Sequence, residues 1–243
     1  MRTNTHLLVI VLIGIVSNLR AQQTITFPSK DNLTITADLY SQANSEKFII
    51  LFHQARWSRG EYLEIAPKLT KMGYNCLAVD LRSGGTVNSI SNETYKEATT
   101  KGKTTGYVDA YQDIETSVAY IKEKHNPKKI IIWGSSYSSA LVLKYGGDYP
   151  EMVDAILSFA PGEYFGEQDF IKRSAQNITV PVFITSAKKE QGNWQSIYDV
   201  IPSTSKAFYL PETKGNHGSR ALWEQFNDHK GYWQAVERFL ITI

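Results

Sequence analysis

The sequence predicts an α/β fold: a mainly parallel sheet with helices on both faces and an antiparallel hairpin at its N-terminal edge. Three observations lead there. Thr24–Phe27 and Leu33–Tyr40 alternate apolar and polar residues around a Pro28-Ser29-Lys30-Asp31-Asn32 turn, as in a hairpin with one buried face. After it, short unbroken apolar runs replace the alternation, as in strands buried on both sides. Between those runs lie amphipathic stretches of helical period, the pattern of a parallel sheet covered by crossover helices.

The elements follow in order. Phe48–Phe52 is the first wholly apolar strand. Glu61–Met72 reads as a helix with Leu63, Ile65, Ala66 and Leu69 on one side and Gly73 as its stop; Pro67 predicts a kink inside it. Cys76–Val79 is the next strand. Ser83–Gly106 is rich in Gly, Ser, Thr, Asn and Lys and too poor in apolar residues to be a domain, so it reads as an excursion loop with a helical turn near Glu93–Ala98. Whether it folds over the site as a lid stays open. Tyr107–Lys124 is a long amphipathic helix with Ala110, Ile114, Val118 and Ile121 on one face. The strand Lys129–Trp133, a helix holding Ala140–Tyr145 and the strand Ala155–Phe159 come next. Val180–Thr185 is a strand with Pro181 tolerated at its start. Ala207–Leu210 is the last strand, and Ala221–Ile243 is mostly helix.

Composition narrows the function. The chain has 243 residues, 42% hydrophobic and 12% aromatic, with 26 basic against 24 acidic residues. That excludes a disordered tail protein, and the near-neutral balance argues against nucleic acid held by phosphate contacts. A single cysteine, Cys76, excludes an intramolecular disulfide framework and a cysteine-cluster metal site. No pair of histidines has metal-ligand spacing, and neither dinucleotide nor phosphate-loop glycine motifs occur, so no metal and no cofactor are expected. Residues 1–21 read as a secretory signal peptide: a basic start with Arg2, an apolar run Leu7–Val16, and a polar stretch ending at Ala21. The run is short of the ~20 residues that span a bilayer. Cleavage after Ala21 removes Arg2 and Arg20, which carry the whole net charge of +2. It leaves 22–243 as one secreted or periplasmic domain with no stable membrane span. Oligomeric state is not legible.

The sharpest motif is Gly134-Ser135-Ser136-Tyr137-Ser138, set between a buried strand and a helix. Such a turn lifts a serine hydroxyl to the carboxyl end of the sheet and the N-terminus of a helix, where backbone N–H groups favour developing negative charge. A hydroxyl nucleophile needs a base. His125 and His229 sit in charged surface contexts, and His53 ends the first buried strand. His217, in Lys214-Gly215-Asn216-His217-Gly218, has flanking glycines that free the loop to carry an imidazole over the serine. Lone carboxylates on late loops, Glu190 and Glu163, are both available to orient it.

Together these features resemble the α/β-hydrolase superfamily, whose nucleophile turn is usually Gly-x-Ser-x-Gly and whose triad runs Ser, acid, His along the chain. The resemblance covers nearly everything from Thr24 onward, and the short Phe159–Val180 connection makes the chain similar to capless, dienelactone-hydrolase-like members. Those usually carry a cysteine nucleophile; here it is serine. The resemblance implies Ser136, Glu190 and His217 as the triad, with Glu163 as the rival acid. It implies backbone N–H groups of Tyr137 and Ala55 as the oxyanion hole, in the loop His53-Gln54-Ala55, with His53 bracing that loop. Asp80-Leu81-Arg82-Ser83-Gly84-Gly85 then supports it from below. Trp57, Tyr137, Tyr164, Phe165 and Trp194 are expected to border a substrate pocket. The expected activity is hydrolysis of a small carboxyl ester or related acyl compound. A thioesterase or peptidase with the same triad, or a non-catalytic binding protein of the same fold, are the alternatives.

Overall fold

The computed structural model describes residues 22–243, so the signal-peptide expectation lies outside the described residues. The strands are β1 (Gln23–Pro28), β2 (Thr34–Tyr40), β3 (Lys47–Phe52), β4 (Asn75–Val79), β5 (Thr86–Val87), β6 (Ile90–Ser91), β7 (Lys129–Ser135), β8 (Ala155–Phe159), β9 (Val182–Thr185) and β10 (Lys206–Tyr209). The helices are α1 (Ile65–Lys71), α2 (Glu93–Thr100), α3 (Tyr111–His125), α4 (Tyr137–Asp148), α5 (Phe170–Ala175), α6 (Gln191–Val200) and α7 (His229–Ile241). Eight strands form one sheet in the order β1-β2-β4-β3-β7-β8-β9-β10. The β1–β2 and β2–β4 pairs are antiparallel and every later pair is parallel. The predicted architecture is the one observed.

Alternate residues of the buried strands feed two cores. Ile50, Phe52 and Ile132 face α3, α4, α5 and α6, packing with Ile114, Leu141, Ile171 and Ile197. Ile49, Leu51 and Trp133 face α1 and α7, packing with Ile65, Leu69, Val236 and Phe239. Both faces of the central strands are therefore apolar, which is why β3 and β7 read as continuous runs.

The first predicted helix is corrected. Arg59–Tyr62 is a short 3₁₀ turn capped by Ser58, and α1 begins only at Ile65. Pro67 then falls in the first helical turn, where its missing N–H costs no intrahelical bond, so it does not interrupt α1. The excursion Ser83–Gly106 holds the β5–β6 hairpin and the whole of α2. It is fastened along its length. Thr94 Oγ1 accepts the Thr36 N–H of β2 at 2.9 Å, and Lys103 Nζ donates to the Asp31 carbonyl at 2.7 Å. Among the described residues no helix is long and apolar enough to cross a membrane.

Candidate active site

The turn from β7 into α4 carries Ser136 in a backbone conformation rare for a non-glycine residue, φ 59° and ψ −122°. Such strain persists only where the surroundings over-determine it. Gly134 is one cause: a Cβ there would lie 2.4 Å from the Ser138 carbonyl oxygen and 2.5 Å from the Ser139 backbone. Ser138, where the superfamily pattern has glycine, is tolerated because its hydroxyl is consumed locally. It donates to the Phe52 and Ser135 carbonyls and accepts the Ser135 N–H, at 2.8–3.0 Å. The Ser136 N–H donates to the Phe159 carbonyl of β8 at 2.7 Å, which ties the turn to the sheet.

His217 arrives from the loop after β10. Gly215 and Gly218, at φ 69° and 71°, take conformations that favour glycine. Gly218 is also needed for closeness, since a Cβ there would stand 2.5 Å from Ser135 Oγ. The loop sets His217 Nε2 2.7 Å from Ser136 Oγ, and Nδ1 2.9 Å from Glu190 Oε1. The structure thus brings the three predicted triad residues into one hydrogen-bonded chain. Glu190 sits in the turn between β9 and α6, and its Oε2 accepts the Ala187 N–H at 3.1 Å, which fixes the carboxylate plane. Glu163 is elsewhere: its two oxygens accept the Ile171 and Lys172 N–H groups and cap α5.

Ala55 and Tyr137 are placed in the loop after β3 and at the start of α4, and neither backbone N–H has an acceptor among the described residues. His53 braces the first of these loops. Fully buried, it bonds the Gln54 carbonyl through Nδ1 at 2.8 Å, and its Nε2 receives the Leu81 N–H at 2.9 Å and the Asn92 amide at 3.0 Å. Burial holds its pKa down at about 4, so it is neutral and accepts through Nε2. Below, Asp80 accepts from the Arg59 backbone and guanidinium and from the Glu93 N–H. Buried Arg82 is bound by Asp113 and Asp31. Asn92, in a glycosylation-type Asn-x-Thr triplet, is 1% exposed and fully engaged, so no glycan fits there.

The expected pocket aromatics divide. Trp57 is half-buried and stacks on Trp223 at 5.3 Å. Tyr164 is 38% exposed and flanks the triad: burial, and then the Glu190 charge, push its phenol up to about 12. Phe165 packs partly against the core beside Phe170. Two expectations are corrected. Trp194 is fully buried within α6, its indole N–H bonded to Ser186 Oγ at 2.8 Å, and lines no open pocket. The Tyr137 side chain is likewise buried, hydrogen-bonded to Ser83 at 2.5 Å under the half-open ring of Tyr107.

A cavity of about 540 Å³ opens beside His217 and Glu190, and Lys188, Lys189, Lys214 and Arg220 line it. Among the described residues no cluster of three or more His, Cys, Asp or Glu could hold a metal ion.

One carboxyl was not singled out by its sequence. Glu61, in the 3₁₀ turn before α1, is completely buried beneath the serine. Its Oε2 accepts the Gln54 N–H at 2.7 Å and its Oε1 accepts the Ser135 hydroxyl at 2.6 Å. Burial pushes its pKa up to about 7 against the pull of those donors.

Known proteins agree with this architecture. An esterase of Pyrococcus furiosus superposes with a TM-score of 0.71 at 19% identity, covering 91% of this chain and 92% of its own. A dienelactone hydrolase from Anabaena variabilis gives 0.72 at 12% identity, over 91% and 97%. These likenesses concern the fold. A protein of Aquifex aeolicus provisionally named a carboxymethylenebutenolidase is 29% identical over 130 residues, 53% of each chain, so the matched stretch spans about half the length of that curated relative. Residues 43–168, just over half of the chain and including the Ser136 turn, match the family described as serine aminopeptidase, S33. The chain belongs to this family of α/β hydrolases.

Proposed function

We propose that this protein is an exported serine hydrolase that cleaves a small carboxyl ester or related acyl bond through an acyl-enzyme. The observation that carries the reading is the unbroken Glu190–His217–Ser136 chain, at 2.9 and 2.7 Å, ending on a strained serine. His217 takes the hydroxyl proton as Ser136 attacks the carbonyl, and Glu190 holds the tautomer and steadies the imidazolium. The N–H groups of Tyr137 and Ala55 stabilise the oxyanion. His217 returns the proton to the leaving group and then activates the water that releases the acid. Neither a metal nor a cofactor has a step in this cycle. The substrate is a small molecule, with Trp57, Tyr164 and Phe165 as apolar walls.

The family description brings amide cleavage at an amino terminus into view. The lining of the cavity beside the triad opposes it. Three lysines and an arginine outnumber the one carboxylate of that lining, Glu190, repel a cationic amine and leave the neutral or anionic ester as the better substrate.

Fluorophosphonate labelling tests the reading. The wild type is expected to label and Ser136→Ala is not; an unlabelled wild type, or equal labelling of both, overturns it. Matched ester, thioester and aminoacyl-anilide substrates rank the acyl classes, with the ester expected fastest. Export is tested on the secreted material, which is expected to begin at Gln22; protein retained in the cell with Met1 in place refutes it.

A further inference from the structure

Three segments of the site are far apart in sequence: Gln54-Ala55 after β3, Ser135-Ser136 where β7 ends, and His217–Ser219 after β10. Two of them bond one side chain directly, and the third reaches it through Ser135. Glu61 Oε2 receives the Gln54 N–H at 2.7 Å, one residue before the oxyanion donor Ala55. Glu61 Oε1 receives the hydroxyl of Ser135 at 2.6 Å, one residue before the nucleophile. Ser135 Oγ in turn receives the Ser219 N–H at 2.8 Å, two residues after the base. The backbone of the same turn holds the far side, where Trp223 Nε1 donates to the Glu61 carbonyl at 2.9 Å.

We propose that Glu61 is a positioning residue that sets the oxyanion loop, the nucleophile turn and the histidine loop against one another, and that the hydrolase works only with this carboxyl ionised. The inference rests on the serine-hydrolase reading above. Its logic is donor counting. Both carboxylate oxygens face donors, and Ser135, already accepting from Ser219, has its own hydrogen aimed at Oε1. A proton on Oε2 would oppose the Gln54 N–H. A proton on Oε1 would turn the Ser135 hydrogen away from its acceptor into a buried space. Either way one tie breaks, and the loop it held relaxes.

No Lys or Arg among the described residues pairs with Glu61 at ion-pair distance. The groups that face it are Arg220 and, when protonated, His217, whose positive charges favour the ionised form, and the buried phenols of Tyr62 and Tyr137. Desolvation outweighs them and brings the carboxyl up to about 7. Ionisation of Glu61 therefore falls in the range where a hydrolase works, and protonating it removes activity.

The test uses the full chain and p-nitrophenyl acetate. In the wild type, the acid limb of log(kcat/KM) is expected to fall with a slope steeper than one, because the mechanism requires an unprotonated base and Glu61 adds a second deprotonation. In Glu61→Gln, kcat is expected to drop about 10- to 100-fold, with KM within about twofold, and the slope to return to one. Ser135→Ala cuts one tie and keeps the carboxyl; it is expected to fall between the two, and the double variant to match Glu61→Gln alone. A wild-type slope of one overturns the proposal even where Glu61→Gln fails to fold. So does a folded Glu61→Gln whose profile superimposes on the wild type. In both cases a wild type that still labels with fluorophosphonate leaves the serine-hydrolase reading standing; a wild type that does not label removes both.

Discussion

Replacing Gly134 with alanine tests the idea that the placement of Ser136, the proposed nucleophile, is a matter of backbone crowding. The new Cβ would lie 2.4 Å from the Ser138 carbonyl oxygen and 2.5 Å from the Ser139 Cα and N. A relaxed contact needs about 3.5 Å, so the turn must open by about 1 Å. All three clashing atoms are backbone of buried residues at the start of α4, so no side chain can swing aside. Overpacking of this kind costs about 3 kcal/mol, equivalent to a Tm lower by about 6–12 °C in a chain of this size. The same displacement moves Ser136 relative to His217 Nε2, now 2.7 Å away. A misplacement of about 1 Å costs on the order of 100-fold in rate. Thermal unfolding followed by circular dichroism reads the first number, and steady-state ester hydrolysis the second. Gly192→Ala is the control: its Cβ meets nothing within 4 Å in the first turn of α6. It is expected to gain about 0.5–1 kcal/mol from helix propensity. If Gly134→Ala melts within 2 °C of the wild type and keeps its rate within about twofold, the crowding argument is wrong.

Glu190→Gln is expected to lower kcat roughly 1,000-fold or more, since an amide cannot steady the imidazolium. Glu163→Gln is expected to cost about 1 kcal/mol as a lost cap of α5 and to leave kcat near the wild-type value; the reverse kinetic ranking would move the acid. Stability against urea is expected to fall as pH rises from 4.5 to 7. The folded state raises Glu61 from 4.5 to about 7, so its stabilisation is complete below 4.5 and lost through 7, by about 3 kcal/mol in all. Buried Asp80 and Asp113, both raised to about 6, act in the same direction, and buried His53, held down at about 4, acts in the opposite one, so the part that vanishes in Glu61→Gln is the part owed to Glu61; an unchanged pH slope refutes it. Cys76 is buried in β4 and its thiol is pushed up to about 12, so a disulfide reagent should reach it only after unfolding; fast native modification would contradict that placement.

What was legible in the sequence was what short range determines. A buried strand, a glycine, a serine and a helix start within one decapeptide, and the geometry of the Ser136 turn follows from their order. The same holds for the Gly-Asn-His-Gly loop. The errors come from longer range. In the sequence Trp194 reads as a loop residue at the rim, but β9 leads directly into a turn and α6, and the helix rotates the indole inward onto Ser186. Glu61–Met72 reads as one helix because its apolar residues recur at helical spacing. The chain instead closes a 3₁₀ turn first, so Glu61 stands off the helix and under the sheet's carboxyl end. Gln54 lies 7 and Ser135 74 residues from it in the chain, and Ser219, reached through Ser135, lies 84 residues beyond Ser135. No local pattern marks a residue whose role is defined by such separations. An acidic residue between a buried strand and a core helix was the available hint.

A serine at this position asks more of its surroundings than the cysteine usual in dienelactone-hydrolase-like proteins. A thiol ionises near ~8.5, so modest help gives a nucleophile. A hydroxyl gives up its proton only as it attacks, so base, acid and oxyanion donors must be aligned at the same instant. In the proposed mechanism three separate loops supply those groups, each held by its own glycine, cap or buried bond. Independent restraint of three loops leaves their relative placement free to drift by an ångström, which is enough to lose the reaction. A single buried carboxyl that receives bonds from the residues next to the oxyanion donor and the nucleophile removes that freedom, and through Ser135 it reaches the histidine loop as well. Burying it without a cation is costly in stability at neutral pH. The cost is intelligible if alignment, not stability, is what the position serves.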